Sequence, residues 1–210
     1  MGSRMPKTEP FEKHSDRYDE WFEKNHDVYH AELEAIRQLI PSPEAKGLEV
    51  GVGSGKFAVP LGIKIGVEPS GKMAAKAEKQ GIRVFRDVAE DLPFSDSLFD
   101  FVLMVTTICF VDDILKSFRE AFRVLKPRGS IIVGFVDKDS ELGKRYHDKR
   151  NTSVFYKEAI FFSSQEVCEY LTDAGFGDLT FKQTLIPGET QDMIEDGFGK
   201  GAFVVVKGVK

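Results

Sequence analysis

The residues best suited to chemistry stand together in Glu49-Val50-Gly51-Val52-Gly53-Ser54-Gly55. The short run Leu48-Glu49-Val50 reads as a strand that empties at once into three glycines at alternate positions. A tight glycine-rich turn from strand to helix lets a ligand approach the backbone and offers it amide donors. A second acid, Glu68, lies thirteen residues after Gly55 and closes a second strand, Ile63 to Val67. An acid there suits hydrogen bonding to a ribose diol. Taken singly, each feature is an ordinary turn or a solvated strand end. Jointly they point to a nucleoside crevice at the carboxyl ends of parallel strands.

Spacing separates the kinds of nucleotide site. A phosphate-binding P-loop needs Gly-Lys followed by Ser or Thr, with a glycine five residues earlier. Here Phe57 follows Gly55-Lys56, and Val50 holds the early position. A dinucleotide fingerprint needs glycine where Lys56 stands, and an acid about 20 residues on. That disfavours an NAD(P)-dependent oxidoreductase, which stays as the alternative.

The elements that must position these residues follow from periodicity. Residues 8–40 carry Phe11, Tyr18, Trp21, Phe22, Tyr29, Leu33, Ile36 and Leu39 at helical spacings, and Pro41-Ser42-Pro43 stops the pattern. Two helices are expected, divided at Asn25-His26-Asp27, with Asn25 or Asp27 as a cap. Further strands are expected at Val84-Phe85, Phe99 to Val105 and Ser130 to Val136, with helices at Ser70 to Lys79 and Asp112 to Leu125. Strands alternating with helices indicate parallel βαβ units with helices on both faces. A polar stretch follows Asp137, and Ser163 with Glu166 has the spacing of a capping box opening a helix to Ala174. Leu179 to Ile186 and Ala202 to Lys207 form an expected antiparallel pair, joined by a loop over 187–201. The total is seven strands in an α/β fold.

Composition narrows the classes. The chain has 210 residues, 41% of them hydrophobic and 30% charged, and a net charge of −5. These values suit one globular unit with a real core. The acidic balance argues against a surface for duplex DNA. No apolar run is long enough to span a membrane, and Met1 to Lys7 lacks the apolar stretch of a signal peptide, so a cytoplasmic location is expected. Cys109 and Cys168 sit in apolar surroundings and are too few for a disulfide framework or a four-cysteine zinc site.

The glycine segment looks like the first motif of class I S-adenosylmethionine-dependent methyltransferases, in the type 11-like, small-molecule branch. Gly66-Val67-Glu68-Pro69-Ser70 resembles the second motif of that family. Glu90-Asp91-Leu92-Pro93-Phe94 with Ser97 to Val102, and Phe118 to Gly129, are similar to its later blocks. So are Tyr18-Asp19-Glu20-Trp21-Phe22 near the start and Leu171 to Phe176 near the end. The blocks fall in order across residues 11–206.

The resemblance implies a Rossmann-like three-layer αβα sandwich, with a mostly parallel sheet whose last strand is antiparallel. It implies an N-terminal helical cap over 1–43 and an S-adenosylmethionine-binding domain over 44–210, with 137–162 as a substrate-side insert. Gly51 and Gly53 would pass under the methionine half of the cofactor, and Glu49 would lie near its ammonium. Glu68 would accept from the ribose hydroxyls. Val88 and Ala89 would flank adenine, with Asp87 as a stand-in for the polar residue many relatives carry at Val88. Met73 would pack on adenine or fill the core. Val105 and Thr106 would line the channel under the transferable methyl, and Tyr18 would lie over the cofactor.

S-adenosylhomocysteine would be the product and a small metabolite the acceptor, at nitrogen, oxygen or carbon. Val105-Thr106-Thr107-Ile108 stands where relatives acting on nucleic-acid bases or glutamine carry Asn or Asp, Pro, Pro and an aromatic. Neither a nucleic acid nor a membrane is therefore an expected partner, and no metal is indicated. His14, Tyr18, Asp137, Tyr146 and His147 are the polar candidates for the acceptor side. A protein that binds the cofactor without transfer is the remaining possibility.

Overall fold

The computed structural model describes residues 7–190 and 192–210. Met1 to Pro6, which carry most of the stretch read for a signal peptide, lie outside them.

Eight strands form one sheet: β1 (Gly47–Val50), β2 (Ile65–Val67), β3 (Arg83–Phe85), β4 (Phe99–Val105), β5 (Leu125–Val136), β6 (Gly177–Thr184), β7 (Glu195–Asp196) and β8 (Phe203–Val209). Their order is β3-β2-β1-β4-β5-β8-β6-β7. β1 to β5 run parallel, and β8 inserts antiparallel between β5 and β6. Seven strands were expected. The eighth is the two-residue β7, which pairs with β6 at Lys182 and Gln183 inside the expected 187–201 loop. A strand that short, on an edge, leaves no alternating pattern to read.

Helices cover both faces. Along β4, Phe101, Leu103 and Val105 face the core under α2 (Ser15–Lys24), α3 (His26–Arg37) and α4 (Gly71–Lys79). Val102 and Met104 face the core under α5 (Ile114–Val124) and α7 (Ser164–Asp173). Successive side chains on a strand point to opposite faces, so a strand buried on both faces reads as an unbroken apolar run. α7 opens with the expected capping box between Ser163 and Glu166.

Local expectations needed correction in three places. Residues 8–40 hold three helices, because α1 (Glu9–Lys13) is separated from α2 at His14, whose backbone leaves the helical region. Asn25 stands at the N-cap position of α3, but its side chain donates to the Trp21 carbonyl at 2.8 Å instead of capping that helix. No regular helix follows the glycine turn: residues 51–62 are turns. Pro60 lacks a donor, and Gly55 and Gly62 adopt left-handed backbone, which together break the ladder.

Candidate active site

The parallel register sets Val50 beside Val67, so the two strands release their chains at the same edge. The turn folds back onto that edge: the Gly51 and Val52 amides both donate to the Val67 carbonyl, at 2.8 and 3.0 Å. Gly51 and Gly53 have φ of +74° and +55°, conformations that cost other residues about 1–2 kcal/mol. Their reasons for being glycine differ. A Cβ on Gly51 would lie 2.4 Å from the Thr107 hydroxyl, whereas one on Gly53 meets nothing nearer than 3.5 Å. Thr107 is fixed there because its Oγ1 donates to the Val50 and Val105 carbonyls, at 3.1 and 3.0 Å.

Glu68 ties the turn to the next helix. Its carboxylate accepts the Gly53 amide at 3.0 Å and the Ser70 amide at 2.8 Å. Burial pushes this carboxyl above its usual range, and the two amides hold the shift back. A carboxylate accepts at about four lone-pair positions, so two stay open for ligand hydroxyls. Glu49 is only 2% exposed, and its Oε2 is buried without a hydrogen-bond partner. Burial drives its carboxyl well above the usual range, opposed by the Ala58 amide.

At this edge opens a cavity of about 950 Å³. Ligand pockets run from about 300 to 1,000 Å³, so it has room for a nucleoside and a second small molecule. Tyr18, Gly51, Gly53, Glu68, Val88, Ala89, Val105 and Thr106 all line it, as do Met73 and Asp87. Glu49 does not reach the wall. Thr106 has φ of +49° just where β4 ends, a strained conformation of the kind that clusters at functional sites.

The acceptor-side candidates divide. Tyr18 and Tyr146 line the cavity. His147 does not; it is exposed and lies 3.8 Å from Asp148. His14 is exposed at the α1–α2 junction. Asp137 is occupied structurally: its Oδ2 accepts from the Ser164 hydroxyl at 2.5 Å and amide at 3.1 Å. Glu32, Trp21, Phe155 and Tyr156 line the cavity without having been singled out as ligand contacts. Glu32 had a readable signal, since it lies one helical turn before Ile36 on the apolar face of its helix, where an acid breaks the pattern.

The N-terminal helices hold the glycine turn and α4 through specific contacts. The Ser54 hydroxyl donates to Asp19 at 2.5 Å, and Lys76 Nζ lies 2.7 Å from Asp16 and from Asp19. The Tyr29 hydroxyl donates to the Lys56 carbonyl at 2.5 Å.

Comparison with known proteins agrees with this geometry. A family model described as a methyltransferase domain matches residues 48–133. An uncharacterized protein of Methanocaldococcus jannaschii is 45% identical over 203 residues, 95% of this chain and 98% of that one. The ubiquinone/menaquinone biosynthesis C-methyltransferase UbiE of Rickettsia bellii is 30% identical over 186 residues, 71% of this chain and 75% of its own. A crystal structure from Thermotoga maritima superposes with a TM-score of 0.92 at 46% identity, over 97% of this chain and 99% of that chain. It is described as an S-adenosylmethionine-dependent methyltransferase and a possible histamine N-methyltransferase.

This chain belongs to the class I S-adenosylmethionine-dependent methyltransferases. It is thus an enzyme whose cofactor is S-adenosylmethionine, and the nicotinamide alternative is set aside. Among the described residues no helix is long and apolar enough to cross a membrane.

Proposed function

We propose that the cavity holds S-adenosylmethionine beside a small-molecule acceptor, with nucleic acid excluded as a substrate. The observation that carries this reading is the pairing of Glu68, with open lone pairs at the cavity wall, and Glu49, with a buried oxygen lacking a partner. A buried acceptor left without a donor costs about 1–3 kcal/mol, a cost that an arriving ammonium offsets. Glu49, behind the wall, then provides negative potential beneath the methionine ammonium through a water. Glu68 accepts from the ribose hydroxyls while keeping its two backbone amides. Gly51 and Gly53 let the ligand lie against the turn. Val88 and Ala89, with Asp87, flank the adenine, and Val105 and Thr106 floor the methyl channel.

When bound, the cofactor supplies an activated methyl on a sulfonium. The chain's task is to orient the acceptor in line with the carbon–sulfur bond and to exclude water. Residues 1–43 are read as the cap and 44–210 as the cofactor domain, with 137–162 as the substrate-side insert. Support comes from Tyr18 and Trp21 on one side and Tyr146 and Tyr156 on the other, which share the cavity wall.

The test is a thermal-shift titration with S-adenosylmethionine, S-adenosylhomocysteine, NAD and NADP. A ligand at 100 times its Kd adds about 2.7 kcal/mol to native stability. Stabilisation by the two sulfur nucleosides alone is expected. Stabilisation by NAD or NADP alone would overturn the reading. Histamine is the first trial acceptor.

A further inference from the structure

One acid in the cavity is not used by the cofactor reading. Glu32 lies on α3, and Ala35 and Ile36, three and four residues on, continue its buried face into the core. It is 8% exposed, and the cavity is what its side chain faces. Among the described residues no hydrogen bond or ion pair reaches its carboxyl oxygens. The basic residues of the same cavity, Lys7, Arg17, Lys116 and Lys149, do not pair with it. Lys7 instead lies 3.8 Å from Asp112.

Aromatic side chains share the wall. Burial raises the phenols of Tyr18 of α2, Tyr146 of α6 (Glu141–Lys149) and Tyr156 above their usual range, and the charge of Glu32 adds a smaller push to each. Tyr146 and Tyr156 stack at 5.3 Å between centroids, and Phe110 stacks on Tyr156 at 6.1 Å. Trp21 and Phe155 also line the cavity. An unpaired carboxylate in such a setting is expensive, and an apolar residue would fill the position at lower cost. A cationic ligand reverses that balance, because the carboxylate gains a partner and the ring faces attract the charge.

We infer that Glu32 is the acceptor-binding residue of this enzyme, and that the acceptor is a small amine whose nitrogen it holds among Tyr18, Tyr146 and Tyr156. The inference rests on the cofactor assignment above and adds the substrate class and the group that recognises it. The step balances simply. An acceptor entering as an ammonium passes one N–H proton to a Glu32 carboxylate oxygen. The freed nitrogen lone pair forms the new bond to the methyl carbon as the carbon–sulfur bond breaks, and sulfur keeps that bonding pair. The products are a methylated ammonium and the neutral thioether S-adenosylhomocysteine. Burial lifts the Glu32 carboxyl to about 8, which suits a proton acceptor working near neutrality.

The test uses the full chain with S-adenosylhomocysteine bound, titrated with histamine, tyramine and 2-phenylethylamine, and with 2-phenylethanol as the uncharged isostere of the last. At least one amine should bind about tenfold or more tighter than 2-phenylethanol. Its binding near pH 7, followed by calorimetry in buffers of different ionisation enthalpy, should release about one proton. Glu32→Gln should lose that preference and the proton release, and should keep its S-adenosylhomocysteine affinity. Methyl transfer from labelled S-adenosylmethionine to the same amine should fall in parallel.

Binding of S-adenosylhomocysteine with no preference for any amine would overturn the inference and leave the cofactor assignment standing. Unchanged amine binding in Glu32→Gln would overturn it equally. So would a loss of S-adenosylhomocysteine affinity alone, which would move Glu32 to the cofactor. Failure of wild-type protein to bind S-adenosylhomocysteine would instead defeat the cofactor assignment. The isostere comparison and proton release need only wild-type protein, so they decide the matter even if the variant fails to fold.

Discussion

Glu12 of α1 accepts a hydrogen bond from the Ser70 hydroxyl at 2.8 Å, and Ser70 in turn donates its amide to Glu68 at 2.8 Å. Helix α1 is thereby joined to the acid assigned to the ribose through one serine at the start of α4. Glu12 also accepts the Gly71 amide. Opening the cap must break these bonds together with the Lys76 pairs to Asp16 and Asp19.

Glu12→Ala should therefore weaken S-adenosylhomocysteine binding several-fold and speed its release, with little change in global stability. Stopped-flow displacement and a thermal melt separate the two. The Ser70 hydroxyl, with the Gly71 and Lys72 amides, holds the Glu12 carboxyl below its usual range. A carboxyl lowered by folding stabilises above its unfolded value of about 4.3 and loses that contribution as pH falls through the folded value. Cap closure should loosen below about pH 4, read as faster release in acid.

Glu68→Ala is expected to cost about tenfold or more in cofactor affinity, since hydrogen bonds to a charged group contribute about 1.5–3 kcal/mol. It also strips the Gly53 and Ser70 amides of their acceptor, so the melting temperature should fall too. Calorimetric titration alongside the melt distinguishes ligand loss from unfolding. An unchanged Kd would remove Glu68 from the site.

The two glycines should fail differently. Gly51→Ala drives a methyl into Thr107 and should mainly lower stability, with part of the loss recovered by Thr107→Ala, which removes both the hydroxyl at 2.4 Å and the methyl at 2.6 Å. Gly53→Ala places its Cβ no nearer than 3.5 Å to any neighbour, so beyond the strain of its positive φ its main loss should be in cofactor affinity. Denaturant melts and titrations of both variants check the contrast.

Stability should fall as pH rises from about 5 to 8. Native Glu32, raised by burial to about 8, keeps its proton through that window while the unfolded chain releases it near about 4.3. Native protein then binds more protons than unfolded protein, which makes the slope negative, with Glu32 alone contributing at most about 1.4 kcal/mol per pH unit. Glu49 is shifted in the same direction by burial. Tyr18, Tyr146 and Tyr156 face Glu32 and remain protonated throughout. Urea melts of Glu32→Gln across this range should show a flatter profile than wild type.

The order of strands and helices from Leu48 to Val136, the glycine turn and Glu68 were all legible in the chain because they are local. Apolar runs and glycines at alternate positions are written within a few residues of each other. The 187–201 segment hid β7, because two edge residues carry no period. His147 and Tyr146 are adjacent acceptor-side candidates in the sequence, yet helix α6 turns His147 outward and Tyr146 inward. Only packing decides which face of a short polar helix meets the cavity.

The sequence by itself determined the class of fold and the cofactor, since both depend on short motifs whose spacing is a backbone property. Only the tertiary structure decided that Gly51 is glycine to admit Thr107 and that Glu49 is buried behind the wall. It alone brought Glu32 of α3, Tyr146 of α6 and Tyr18 of α2 into one cavity. Those relationships join residues tens to more than a hundred positions apart, and a carboxylate is costly or useful according to what the fold leaves beside it.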